Sequence, residues 1–103
     1  MKPGLTVFVL AKDAQTDLRE CLDAARPVSD DVVVVVDASS ADSTADVARS
    51  FTSRVWVKPC EGFSAMKQFA LLQCYTEWAL NLDTDERLTP ELLREIGRVK
   101  KSA

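Results

Sequence analysis

Four stretches of the chain are apolar enough to predict strands, two of them continuously so over strand length. Each is followed by a polar link and then by apolar positions spaced three and four apart. Leu5 to Ala11 (LTVFVLA) is rich in β-branched residues and predicts a strand buried on both faces. After the link Lys12 to Gln15, Thr16 is placed to cap a helix whose Leu18, Cys21, Leu22 and Ala25 fall at i, i+3, i+4 and i+7. Pro27 ends that helix. Asp31 to Asp37 (DVVVVVD) predicts a second strand, and Ser43 to Asp46 has the spacing of a capping box for a helix to about Ser50. Arg54 to Lys58 predicts a short third strand, and the turn PCEGF leads into a helix from Ser64 to about Cys74. Trp78 to Asp83 predicts the fourth strand. Thr89 as cap, Pro90 at the first helical position and Glu91 in the first turn predict a helix to about Val99.

Strand and helix therefore alternate four times, with a strand beginning about every 25 residues. This order predicts an α/β fold: a three-layer, Rossmann-like, mostly parallel sheet of about four strands with flanking helices and right-handed crossovers. Ligands of such sheets bind beyond the carboxyl ends of the strands. Lys12–Asp13, Asp37 to Asp42, and Asp83 to Glu86 all fall at that edge.

Composition narrows the chemistry. The 103 residues suit one domain, residues 1–103, able to bury about two thirds of its unfolded surface. A formal net charge of −3 lacks the basic footprint of a nucleic-acid binder, so no nucleic-acid partner is expected. No apolar run approaches the ~20 residues that span a bilayer, and the N-terminus reads as a strand rather than a signal peptide. Three cysteines without C-x-x-C spacing predict packed thiols in a reduced, cytoplasmic setting. The chain has no histidine, which removes Ser-His-Asp triads, Cys-His pairs and His-ligated metals.

What remains is oxygen chemistry, and Asn81 to Arg87 (NLDTDER) is where it concentrates. Two carboxylates about 5 Å apart repel by about 3 kcal/mol at an effective dielectric near ~20, a cost that a bridging cation removes. In an extended segment residues i and i+2 point the same way, so Asp83 and Asp85 could face one Mg²⁺ or Mn²⁺ whose other ligands are water and phosphate oxygens. No G-x-G-x-x-G and no phosphate-binding G-x-x-x-x-G-K-[ST] loop is present, so a phosphate would depend on that metal. Asp42 reads as a turn or capping residue, Glu86 as an acid either solvated or supporting the neighbouring metal-ligand candidates, and Arg87 as a surface ion-pair former with a phosphate contact as the alternative. Phe63, Phe69 and Trp78 are expected in the core, with partial exposure the alternative.

The series VFVLAKD, VVVVVDASSADST, PCEGFSAMKQFAL and WALNLDTDERLTPEL resembles the N-terminal half of family-2 glycosyltransferases with the GT-A fold, in the lipopolysaccharide-core, heptose-glucosyltransferase-like branch. The resemblance covers nearly the whole chain. It implies that Asp37 contacts the nucleotide base, that Ala11, Lys12 and Asp13 flank it, that Lys67 lies near the nucleotide, and that Asp83 and Asp85 hold the metal of the diphosphate. It further implies an inverting transfer of sugar from a nucleotide-sugar donor, a UDP-sugar, to a saccharide or lipid-linked saccharide acceptor at the inner face of the membrane. Peripheral membrane association belongs to the same expectation, and a homodimer to the alternative of a non-catalytic module. Departures from the family pattern are Asp13 for Asn, Ser39 and Ser43 for glycines, Cys60 for Trp, Met66 for Gln and Gln68 for Asn. The family's catalytic domain is longer, and its acceptor site and general base lie beyond the matching half, so the catalytic residue is not among these 103.

Three other readings compete. A non-catalytic module of the same fold would bind nucleotide weakly or associate through an exposed apolar face. A phosphoacceptor receiver domain needs an acid pair after the first strand and an acid after the third, where this chain has one acid and Lys58-Pro59. A glycosidase needs carboxylates flanking the scissile bond from opposite sides, which same-side neighbours do not provide.

Overall fold

The computed structural model describes residues 2–102. Its elements are β1 (Lys2–Ala11), α1 (Gln15–Ala25), a 3₁₀ turn (Arg26–Val28), β2 (Asp31–Asp37), α2 (Thr44–Phe51), β3 (Val55–Lys58), α3 (Phe63–Leu72), β4 (Thr76–Leu82) and α4 (Pro90–Ser102). All four strands are parallel, in the order β3-β2-β1-β4. The expected α/β architecture is thus observed.

Crossover handedness explains the layering. From β1 to β2 to β3 the chain steps in one direction, so α1 and α2 lie on the same side of the sheet. The step from β3 back to β4 runs the other way, and a right-handed connection then carries α3 to the opposite side. The strand order reverses between β1 and β4, which makes the crevice between their carboxyl ends the natural binding place.

The valines of β2 show why its sequence runs apolar without alternation. Val34 and Val36 pack with Val7, Val9, Leu18, Leu22 and Val47 on one side, where Leu93 and Ile96 of α4 join them. Val33 and Val35 pack with Phe8, Met66 and Ala70 on the other, against Trp56 and Phe69. Both faces are covered, so both registers of side chain are apolar.

Several expectations need correction. Thr16 does not cap α1, which begins at Gln15 with Ala14 before it and no side-chain cap of its own. Its N-terminal amides are served by the next loop instead: Ala14 N–H donates to Thr44 Oγ1 at 2.9 Å and Gln15 N–H to Asp42 Oδ2 at 3.3 Å. Ser43 does not form the expected capping box either, because Asp42 Oδ1 accepts from the Thr44 N–H at 3.0 Å and also from the Thr44 hydroxyl. Pro27 opens a 3₁₀ turn rather than merely stopping the helix. Thr89 does cap α4, accepting from Leu92 N–H at 3.2 Å. Phe63 and Trp78 are not core residues: they are 60% and 39% exposed, since Phe63 starts α3 past the sheet edge and Trp78 sits on the outermost strand.

Candidate functional site

The strand register brings the predicted loops to one level. Ala11 pairs with Val36 and Val9 with Leu82, so Lys12, Asp37 and Asp83 leave the same edge of the sheet from adjacent strands.

Two of these loops are sewn together. Asp13 has φ of 46°, in the left-handed region, and its Oδ1 accepts from Ala41 N–H at 2.6 Å. Asp13 N–H donates to Ser40 Oγ at 3.2 Å, and Gln15 Oε1 accepts from Ser43 N–H at 2.9 Å. With the two caps from Asp42 and Thr44, this reciprocal set fixes the 11–15 loop against the 38–44 loop. Asp13 and Asp42 are thus committed to backbone partners.

Beside them lies a cleft of about 200 Å³ lined by Leu10, Ala11, Lys12, Asp37, Cys60, Phe63 and Met66. Ala11, Lys12 and Asp37 were expected from the sequence. Cys60, Phe63 and Met66 were not assigned there. Their signal was Gly62, whose φ of 114° makes the bend before α3, and the i, i+3 apolar pair that follows it. Lys67, the next residue along α3, is exposed and does not line the cleft. Asp37 Oδ1 accepts from both the N–H and the hydroxyl of Ser39, at 2.9 and 2.8 Å. These two bonds, with the Lys12 charge adding to them, hold its carboxyl below the usual carboxylate range despite burial. Asp37 is therefore an anion at neutral pH, and Oδ2 keeps no protein partner among the described residues.

The segment after β4 departs from the expected extended form. Asp83 to Glu86 is a turn: Glu86 N–H donates to Asp83 O at 2.9 Å, while Glu86 Oε1 accepts from Asp83 N–H at 2.8 Å. Of the two expectations for Glu86, a solvated acid or support for its neighbours, the bond to Asp83 N–H favours the second. Arg87 fastens the turn, donating from NH1 to Thr84 O at 2.6 Å and Glu86 O at 3.0 Å. Its NH2 reaches Asp17 at 3.0 Å and Glu20 at 3.3 Å on α1. Desolvation opposes its charge, but the Glu20 and Asp17 bonds outweigh that and raise its pKa further. The ion-pair expectation for Arg87 is met. Asp83 and Asp85 are exposed and carry no Lys or Arg partner among the described residues. Beneath the turn, Cys21 Sγ donates to Asp83 O at 3.5 Å, and burial pushes that thiol up to about 11.

Exposed carboxylates are the donor type that Mg²⁺ or Mn²⁺ takes, but the turn replaces the extended i, i+2 geometry expected to aim Asp83 and Asp85 at one ion. Among the described residues no three acid or thiol side chains converge into a closed cage, so such an ion would be completed by its ligand.

The sequence model of glycosyl transferase family 2 matches residues 6–98. The chain belongs to that family. Similar to this glycosyltransferase chain are a Rickettsia typhi protein named an uncharacterized glycosyltransferase, 34% identical over 92 residues, and the Rhizobium meliloti lipopolysaccharide core biosynthesis glycosyltransferase LpsC, 33% identical over 100. These alignments cover 89% and 92% of this chain but 31% and 36% of the relatives. The chain thus spans about a third of the length of the relatives it matches. The fold is that of S. aureus TarS residues 1–349, with a TM-score of 0.73 at 24% identity over 99% of this chain and 33% of that one. Among the described residues no helix is long and apolar enough to cross a membrane.

Proposed function

We propose that this chain is the donor-binding part of a metal-dependent, inverting family-2 glycosyltransferase. Its donor is a nucleotide-sugar, a UDP-sugar. Its acceptor is a saccharide or lipid-linked saccharide of the lipopolysaccharide or cell-envelope polysaccharide, met at the cytoplasmic face of the membrane. The observation that carries the reading is the pair of unpaired carboxylates, Asp83 and Asp85, at the same sheet edge as the cleft bordered by ionised Asp37. Asp37 Oδ2 is suited to accept from a pyrimidine N–H, and Ala11 and Lys12 would flank the base. The exposed ring of Phe63 offers an apolar surface at the cleft's rim. Asp83 and Asp85 would hold Mg²⁺ or Mn²⁺, which supplies charge stabilisation of a departing diphosphate. Asp13 contributes by fixing the loop, and Lys67 by positive charge nearby.

UDP titrated into the chain with Mn²⁺ and with EDTA tests this. Binding should weaken about tenfold or more without metal and in Asp85→Ala, which corresponds to about 1.4 kcal/mol. Cys60 gives a second readout. It is exposed at the cleft, whereas Cys21 is buried and the half-buried Cys74 has its pKa raised, chiefly by desolvation. Alkylation should therefore reach Cys60 first and slow when UDP and Mn²⁺ are added. Equal binding in EDTA, or no protection of Cys60, overturns the reading. The exposed Phe63, Leu72 and Trp78 support a second reading, a non-catalytic module that associates as a homodimer. A sedimenting dimer that ignores UDP would favour it.

A further inference from the structure

We infer that Arg87 is the positioning residue of the donor site: it locks the Asp83–Glu86 turn onto α1 and so presets the two metal-ligand candidates. The inference rests on the donor-site reading for its purpose, while its structural half stands on geometry alone. Arg87 NH1 donates to two carbonyls of the turn, Thr84 O and Glu86 O, and NH2 to two carboxylates of α1, Asp17 and Glu20. One planar guanidinium thereby joins the segment after β4 to the helix that follows the 11–15 loop, across about 70 residues of sequence. The other side-chain link shown between that turn and α1 is the long Cys21 Sγ contact to Asp83 O at 3.5 Å, a weak thiol donor beside four charge-assisted or carbonyl bonds of Arg87.

The chemistry favours this arrangement over a phosphate contact. Each nitrogen of Arg87 that contacts the protein already serves two acceptors. Its charge is matched by Asp17 and Glu20 of α1, while the turn meets it through two backbone carbonyls. A flexible turn would have to be ordered when the ion arrives, and that ordering entropy would subtract from affinity. A turn held in advance avoids the loss, as outer partners of metal ligands do elsewhere. Lysine cannot replace the fork, because its single ammonium cannot reach carbonyls on one side and carboxylates on the other in fixed directions.

Three variants of the whole chain test it: Arg87→Gln, Arg87→Lys and the double variant Asp17→Ala/Glu20→Ala, which frees Arg87 from α1 but leaves it in place. Amide hydrogen exchange without metal is the first readout. In Arg87→Gln the Asp83 and Glu86 amides should exchange about tenfold faster while the β1 and β2 amides are unchanged. Mn²⁺-dependent UDP affinity is the second, expected to fall about tenfold in Arg87→Gln and less in Arg87→Lys and the double variant. The urea midpoint should move little, whereas a merely structural role would shift it together with affinity. Unchanged turn exchange in Arg87→Gln overturns the inference, whatever the ligand result. A wild-type chain that does not bind UDP with Mn²⁺ sinks the donor-site reading instead and leaves the exchange comparison to decide the role of Arg87.

Discussion

Asp13 has a structural partner that its place in the sequence does not announce. Its place after the first strand, at the ligand edge, suggested contact with a nucleotide. In the fold its carboxylate accepts from Ala41 N–H, 28 residues away, and its backbone occupies the left-handed region. Asp and Asn tolerate that region better than other residues with a side chain, because their short polar groups bond nearby backbone. Asp13→Asn, which keeps Oδ1, should therefore leave stability almost unchanged. Asp13→Ala loses the bond and keeps the strain, and should lower it by about 1–2 kcal/mol in urea unfolding. No spacing rule could reveal this bond, since its two ends belong to different loops. Asp42 was legible as a capping residue because its acceptor role toward Thr44 is local, two residues on.

At the scale of elements, β1 and β2 were readable because they declare themselves by continuous apolar runs, whereas β4 (TEWALNL) shows only the short run Trp78 to Leu80. The helix starts were less so, because α1 borrows its capping groups from the 38–44 loop. The turn after β4 was misread as extended because the Glu86 carboxylate curls back to the Asp83 N–H. A comparable tertiary contact ends α4. Lys100 Nζ lies 2.7 Å from Asp30 Oδ2 and donates to Val28 O at 3.0 Å, while the same carboxylate oxygen accepts from Leu5 N–H at 2.7 Å. Gly4 permits this approach, since a Cβ there would stand 2.7 Å from Asp30 Oδ2. The Lys100 bond, followed by that of Leu5, depresses the Asp30 pKa below its ordinary 3.8. A depressed carboxylate contributes stability that is complete above its unfolded value and is lost as the pH falls through its folded one. The urea midpoint should thus decline below about pH 4, and Asp30→Asn should lessen that decline.

The whole molecule closes its own core although it spans about a third of its relatives. Its radius of gyration, 13.2 Å, matches the ~13 Å of a compact chain of this length. The two faces are unequally clad, however. Helices α1, α2 and α4 share one side, and α3 alone shields Phe8, Val33 and Val35 on the other. Phe8→Ala should cost about 3–5 kcal/mol in a denaturant titration, a large part of the ~5–15 kcal/mol that holds a domain together. Unequal cladding also sets the order in which the molecule loosens. By that argument the amides of α3 should exchange faster than those of α1. Phe63 and Met66, which line the cleft, ride on that one helix, so this wall is no firmer than its thinnest cover.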